Sequence, residues 1–187
     1  MDRREAVKYI SLIMGSAMVG SSVLLSGCKN ESRPPSFFSD NEIDLLDEIA
    51  ETIIPTTDSP GAKAAKIGAF MSVMVEDTYE QVEQNIFIAG MTKIKELSLE
   101  KFGKDFMQIS NEQRFELLNE LDIEQKSYYK TKTHEDPPHY FRMMKELTLF
   151  GYFTSEIGAT QARRYTAVAG KYEGCLDYKP GDKAWVY

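Results

Sequence analysis

The sequence predicts an all-α protein, a single helical bundle followed by an irregular, aromatic-rich C-terminal segment. Three observations predict it. Apolar residues recur at helical spacing through most of residues 39–153. Two capping boxes, Ser39-Asp40-Asn41-Glu42 and Ser110-Asn111-Glu112-Gln113, mark helix starts. No sustained alternation of apolar and polar residues suggests a sheet, and no internal repeat is present. A chain of 187 residues fits one ordinary domain.

The first helix is expected from Ser39, with Ile43, Leu46, Ile49, Ala50 and Ile53 on one face, and Pro55 ends it. Asp58, Ser59, Pro60 and Gly61 then supply turn formers. A second helix is expected from Ala62, with Ile67, Phe70, Met71, Met74 and Val75 inward. A third runs from about Tyr79 to Lys101, with Val82, Ile86, Ala89, Ile94 and Leu97 on one side and Gly103 placed to stop it. The second capping box opens a helix through Phe115, Leu117, Leu118 and Leu121. Thr131 to Pro138 interrupts the pattern. His139 to Phe153 resumes it, dense with Phe141, Met144, Leu147, Leu149, Phe150, Tyr152 and Phe153. Met71, Met74, Met143 and Met144 read most simply as core fillers. Beyond Phe153 the periodicity fades. Gly158, Gly170, Gly174, Pro180 and Gly181 punctuate a tail bearing Tyr165, Tyr172, Tyr178, Trp185 and Tyr187.

Residues 1–27 read as a targeting segment rather than as part of the fold. Arg3 and Arg4 precede an apolar stretch, Tyr9 to Leu25, that is diluted by Gly15, Gly20 and several serines. It is too short and too weak for a membrane span, which needs roughly 20 predominantly apolar residues. Paired arginines are the address of the export route for folded proteins, and Lys8 sits where that motif commonly has a lysine. Asp2 and Ala6 depart from it, and the ordinary secretory route is the alternative. Leu25-Ser26-Gly27-Cys28 resembles a bacterial lipobox, which makes Cys28 the expected site of lipidation and the first residue of the mature chain. Acyl chains bury CH2 groups at about 0.8 kcal/mol each, so such a chain holds to a bilayer without a spanning helix. Residues 28–36 then form a lipidated tether, and 37–187 the helical domain.

Charge and cysteine content narrow the function. The formal net charge is -7; without residues 1–27 the chain keeps 19 basic and 27 acidic groups. An acidic domain with no basic stripe is a poor nucleic-acid binder. With Cys28 acylated, Cys175 has no intrachain disulfide partner, and reads as a buried thiol or an intermolecular contact. Tyr172, Cys175, Tyr178 and Trp185 form a candidate partner interface, because Tyr and Trp join apolar area to one polar atom. They pack either on the bundle or on another protein.

The sequence has no dinucleotide fingerprint, no P-loop, no haem attachment motif and no G-x-S-x-G elbow. The metal-like cluster is His134-Glu135-Asp136-Pro137-Pro138-His139, which holds both histidines. Two prolines before His139 rule out a helical i, i+4 ligand pair, and a solvated loop is the better account. Glu76-Asp77 and Glu120-Leu121-Asp122 sit one or two apart on helices and do not pair for acid–base work. No catalytic residue and no cofactor-binding residue is assigned.

Three stretches stand out together: Phe37-Phe38-Ser39 leading into Glu51-Thr52-Ile53-Ile54-Pro55-Thr56-Thr57-Asp58-Ser59-Pro60-Gly61-Ala62; Phe141 to Phe153, continuing to Glu156; and Gly170 to Cys175 with the Gly181-Asp182-Lys183-Ala184-Trp185 ending. In this order they resemble the gluconate 2-dehydrogenase subunit 3 family. The resemblance spans about Phe37 to Trp185. It implies a small accessory subunit without a cofactor of its own, in an exported, membrane-associated sugar or polyol dehydrogenase. FAD and the oxidation would belong to a large partner subunit of the glucose-methanol-choline type, and a cytochrome c subunit often receives the electrons. The resemblance implies support for export and maturation of that partner, at the periplasmic face of the envelope. A standalone envelope lipoprotein, or a metal-dependent enzyme using His134 to His139, are the alternatives.

Overall fold

The computed structural model describes residues 37–168, 170–172 and 174–186. The chain divides into two units, 1–36 and Phe37–Tyr187, and every described residue lies in the second. Arg3, Arg4, Lys8 and Cys28 lie outside the described residues.

Among the described residues there are five α-helices: α1 (Asp40–Ile53), α2 (Ile67–Thr78), α3 (Gln81–Phe102), α4 (Asn111–Thr131) and α5 (Tyr140–Thr154). A 3-10 turn at Lys63–Ala65 precedes α2, and a π-turn at Gly158–Ala162 follows α5. A two-residue parallel ladder pairs β1 (Arg164–Tyr165) with β2 (Trp185–Val186). The all-α reading stands. No described helix is long and apolar enough to cross a membrane.

Both capping boxes form. The Ser39 backbone N–H and hydroxyl donate to Glu42 Oε2 at 2.9 and 2.6 Å. These bonds hold the Glu42 carboxyl below its ordinary range, the hydroxyl contributing most. At the second box the Ser110 N–H donates to Gln113 Oε1 at 3.0 Å, and the Gln113 N–H donates to the Ser110 hydroxyl at 3.3 Å. Gly103 ends α3 with φ 69°.

The last helix is the hub: α5 packs against each of the other four. It buries Phe141, Met143, Met144, Leu147, Thr148, Gly151 and Tyr152. That stripe is too wide for one neighbour, which is why its apolar residues are so dense. Leu45, Leu46 and Ile49 of α1, Ile67, Met71 and Val75 of α2, Phe87 and Ile94 of α3, and Leu117, Leu118 and Leu121 of α4 join it in the core. Met71, Met143 and Met144 are buried and Met74 half-buried, as core fillers should be.

Two expectations are corrected. The second helix starts at Ile67 rather than Ala62, because Lys66 takes a left-handed conformation (φ 55°) that breaks the 3-10 turn from the helix. On α3 the buried face is Phe87, Gly90, Met91, Ile94 and Ser98, while Val82 and Ala89 are exposed. Gly90 is on that face because Tyr140 lies against it: a Cβ there would stand 2.5 Å from the Tyr140 Cβ. Ser98 is tolerated because its hydroxyl donates to the Lys104 carbonyl at 2.8 Å. Phe115 of α4 is 63% exposed, and Leu149, Phe150 and Phe153 lie on the outward face of α5.

Candidate functional site

The turn after α1 is locked from both sides. Glu51 Oε1 accepts from the Thr56 backbone N–H at 2.9 Å and its hydroxyl at 2.7 Å, and Oε2 accepts from the Lys63 N–H at 2.9 Å. From α5, the Tyr152 hydroxyl donates to the Pro60 carbonyl at 2.6 Å across 92 positions of sequence. Next to it, Asp47 Oδ1 accepts from the Gly68 N–H at 2.6 Å and caps the first turn of α2. Burial pushes the Asp47 carboxyl up, and that hydrogen bond opposes the push.

Two charge hubs join the helices. Glu48 of α1 meets Lys63 and, at 2.5 Å, Arg114 of α4. Arg114 also donates to the Phe106 and Met107 carbonyls at 3.0 and 2.9 Å. Asp122 of α4 meets Lys145 of α5 at 2.5 Å and Lys126 at 2.6 Å. Burial opposes ionisation of Asp122, but the hydrogen bonds from Lys126, Lys145 and Gln125 outweigh it and hold the carboxyl down at about 2. An anion held this firmly is not a base near neutral pH. Asp122 and Lys145 line a hollow of about 150 Å³ with Ile53, Phe115 and Leu118.

The two histidines do different things. His139 is buried at the start of α5, where its Nδ1 accepts from the Phe141 N–H at 3.2 Å. Its ring stacks on Tyr140 at 4.6 Å, and its Nε2 lies 3.6 Å from Glu124 Oε1. His134 is exposed in the loop. Asp136 of the same loop accepts from the Thr133 N–H and hydroxyl at 2.8 and 2.9 Å. Among the described residues no group of three or more His, Cys, Asp or Glu is placed to hold a metal ion.

The tail residues fare differently from the bundle. Tyr172 is 95% exposed, Tyr178 74% and Trp185 50%. Cys175 is a free, exposed thiol, not a buried one. The Arg164 guanidinium sits over the Trp185 ring at 5.4 Å.

A family model described as gluconate 2-dehydrogenase subunit 3 matches residues 40–170. The chain belongs to this family. Neither the curated proteins nor the solved structures compared with it give a match. As a subunit 3, the chain associates with other subunits of a dehydrogenase complex in an accessory role. The match ends before the tail, so Tyr172, Cys175, Tyr178 and Trp185 lie outside it, and the span is shorter than the 37–185 expected.

The family stretches inside the match turn out to be architectural. The Glu51–Ala62 stretch supplies a turn and its lock, and the Phe141–Phe153 stretch supplies the hub helix and the hydroxyl that closes the turn. Sequence reasoning missed Glu48, Asp47 and Arg114 because each finds its partner at long range. Glu51 was legible in part, since a carboxylate just before a Pro-rich turn has nearby N–H groups to accept from.

Proposed function

We propose that this chain is the non-catalytic small subunit of an exported, FAD-dependent sugar or alcohol dehydrogenase of the glucose-methanol-choline type. The observation that carries the proposal is the family match over residues 40–170. On this reading FAD is held by the large subunit, which carries out the oxidation, and a cytochrome c subunit takes the electrons.

Two features of the N-terminal sequence supply the rest of the role. Arg3 and Arg4 belong to a signal for exporting folded proteins, which is needed chiefly when a cofactor or partner must be acquired before crossing. The chain has no cofactor motif of its own, so the cargo that needs folded export is the partner. Lipidated Cys28 then holds the complex at the periplasmic face of a membrane.

Replacing Arg3 and Arg4 together by lysine tests the export role. The expected result is that the flavoprotein partner, assayed by its dehydrogenase activity after cell fractionation, stays in the cytoplasm together with this chain. A partner that reaches the periplasm normally in the variant would contradict it.

A further inference from the structure

The groups that lock the bundle also frame a trough on its surface. The hollow of about 150 Å³ beside Asp122 and Lys145 has Ile53, Phe115, Leu118 and Phe141 for walls. A second hollow, of about 300 Å³, lies over Glu48, Glu51, Pro55 and Thr56. Thr52 and Phe115 line both, so the two hollows meet at these residues. Ile53 and Pro55 come from one of the family stretches inside the match, and Phe141 and Lys145 from the other.

The walls are fixed before anything binds. Glu51 holds the turn at Thr56. Arg114, one residue before Phe115, is anchored on Glu48 and on two backbone carbonyls. Asp122 and Lys145 tie α4 to α5 at the far end. Leu118 and Phe141 are buried, whereas the Phe115 side chain between the two hollows is 63% exposed. Covering that ring together with the smaller hollow would take apolar area out of water. A site that is already rigid loses little entropy when it is covered.

Size and charge define the occupant. A cavity of about 150 Å³ lined by Leu, Ile and Phe holds one benzene ring. The smaller hollow therefore takes one aromatic or branched aliphatic side chain. At its polar end, the single carboxylate of Asp122 faces two ammonium groups, Lys145 at 2.5 Å and Lys126 at 2.6 Å. That leaves a surplus of one positive charge in a chain whose formal net charge is -7. Each ammonium carries three N–H donors, so neither is exhausted by Asp122. The Lys126 side chain is 64% exposed, and Asn119 is exposed on the same hollow. A carboxylate on the occupant complements this end.

We propose that the trough is the docking site for a segment of the catalytic subunit, one that seats a Phe, Leu or Ile side chain among Ile53, Phe115, Leu118 and Phe141 and sets an Asp or Glu beside Lys126 and Lys145. This inference rests on the assignment of the chain to a flavin dehydrogenase complex, and it gives the contact a place on the bundle.

The test uses the full-length tagged chain, co-expressed with the flavoprotein and captured from detergent-solubilised envelope. The wild type is expected to bring down a large polypeptide with oxidised-flavin absorbance. Asn119→Trp fills the smaller hollow from an exposed position, and Phe115→Ala removes the wall that both hollows share. Each is expected to lower the recovered flavin about tenfold or more, as loss of a central anchor does. Lys126→Glu should lower it about fivefold or more, and Lys126→Arg should leave it unchanged. Val82→Ala, at an apolar position of α3 that is 66% exposed and outside the trough, should also leave it unchanged. All the changed side chains are exposed, so the thermal midpoints should stay within about 4 °C of wild type.

A photo-reactive benzoylphenylalanine in place of Asn111, at the rim of the larger hollow, reads the occupant in an otherwise unaltered chain. The expected product is a cross-link to a flavoprotein peptide with an Asp or Glu within a few residues of an apolar side chain. Undiminished flavin with both Asn119→Trp and Phe115→Ala would overturn the docking site and leave the complex standing. So would a cross-link to a second copy of this chain or to lipid in place of the flavoprotein. No flavoprotein on the wild type would remove the complex and the inference together.

Discussion

In the bundle, residues 38–158, the acidic side chains at the helix contacts are committed. Glu48, Glu51, Asp47 and Asp122 each hold a helix, a turn or a backbone donor in place. In the C-terminal segment, residues 159–186, the arrangement is reversed. Side chains with large apolar area face outward, and no described residue is buried. The contrast teaches where to look for function. A charge satisfied within the chain has little left for a substrate, whereas exposed apolar side chains are available to a partner.

Substitutions inside the bundle should be costly and those in the segment nearly silent. The largest effect is expected for Phe87→Ala. The ring is fully buried and lies 6.0 Å from Phe38 and 6.5 Å from Tyr79, so its removal should cost about 3–5 kcal/mol in urea unfolding. Arg114→Ala should cost about 2–3 kcal/mol in the same measurement, because it leaves Glu48 and two carbonyls short of a donor.

Asp122 should give stability a pH dependence. Its folded pKa of about 2 lies below the unfolded value, so its contribution is fully present above about pH 4. That contribution is lost as pH falls from about 4 through about 2, where the folded carboxylate takes up its proton. Asp122→Asn should cost about 1–2 kcal/mol at pH 7 and flatten the stability profile across that window, as read by chemical unfolding at each pH.

Tyr152→Phe removes one buried hydroxyl and leaves the Pro60 carbonyl short of a donor. About 1 kcal/mol is expected, seen as a small drop in thermal midpoint. The smallest effect is expected for Tyr172→Ser, within about 0.5 kcal/mol of wild type for the isolated chain. A large loss of stability there would break the comparison, because it would show that the segment belongs to the core.

What the sequence made legible was what depends on neighbours. Ser39 with Glu42, and Ser110 with Gln113, need only three residues of spacing to cap a helix, and both do so. The inward face of α3 was misread because its closest approach uses Gly90, which carries no apolar signal. Tyr140, 50 positions away, is what requires a glycine there. The start of α2 was misread for a similar reason: the donor at Gly68 is capped by Asp47 of another helix. Periodicity placed Phe115, Phe150 and Phe153 on helices without saying which way they face, and hydrophobicity does not distinguish a core from an interface. The tail aromatics were legible as candidates, but only the register of the ladder showed that two of them face opposite ways.

The central claim is that this chain works as the accessory member of a flavin dehydrogenase complex. The most direct measurement is capture of the mature, tagged protein from detergent-solubilised envelope, followed by an absorbance spectrum of the eluate. The account predicts a stoichiometric large polypeptide and the two absorbance bands of oxidised flavin. A lone, colourless polypeptide of the mature mass would contradict it.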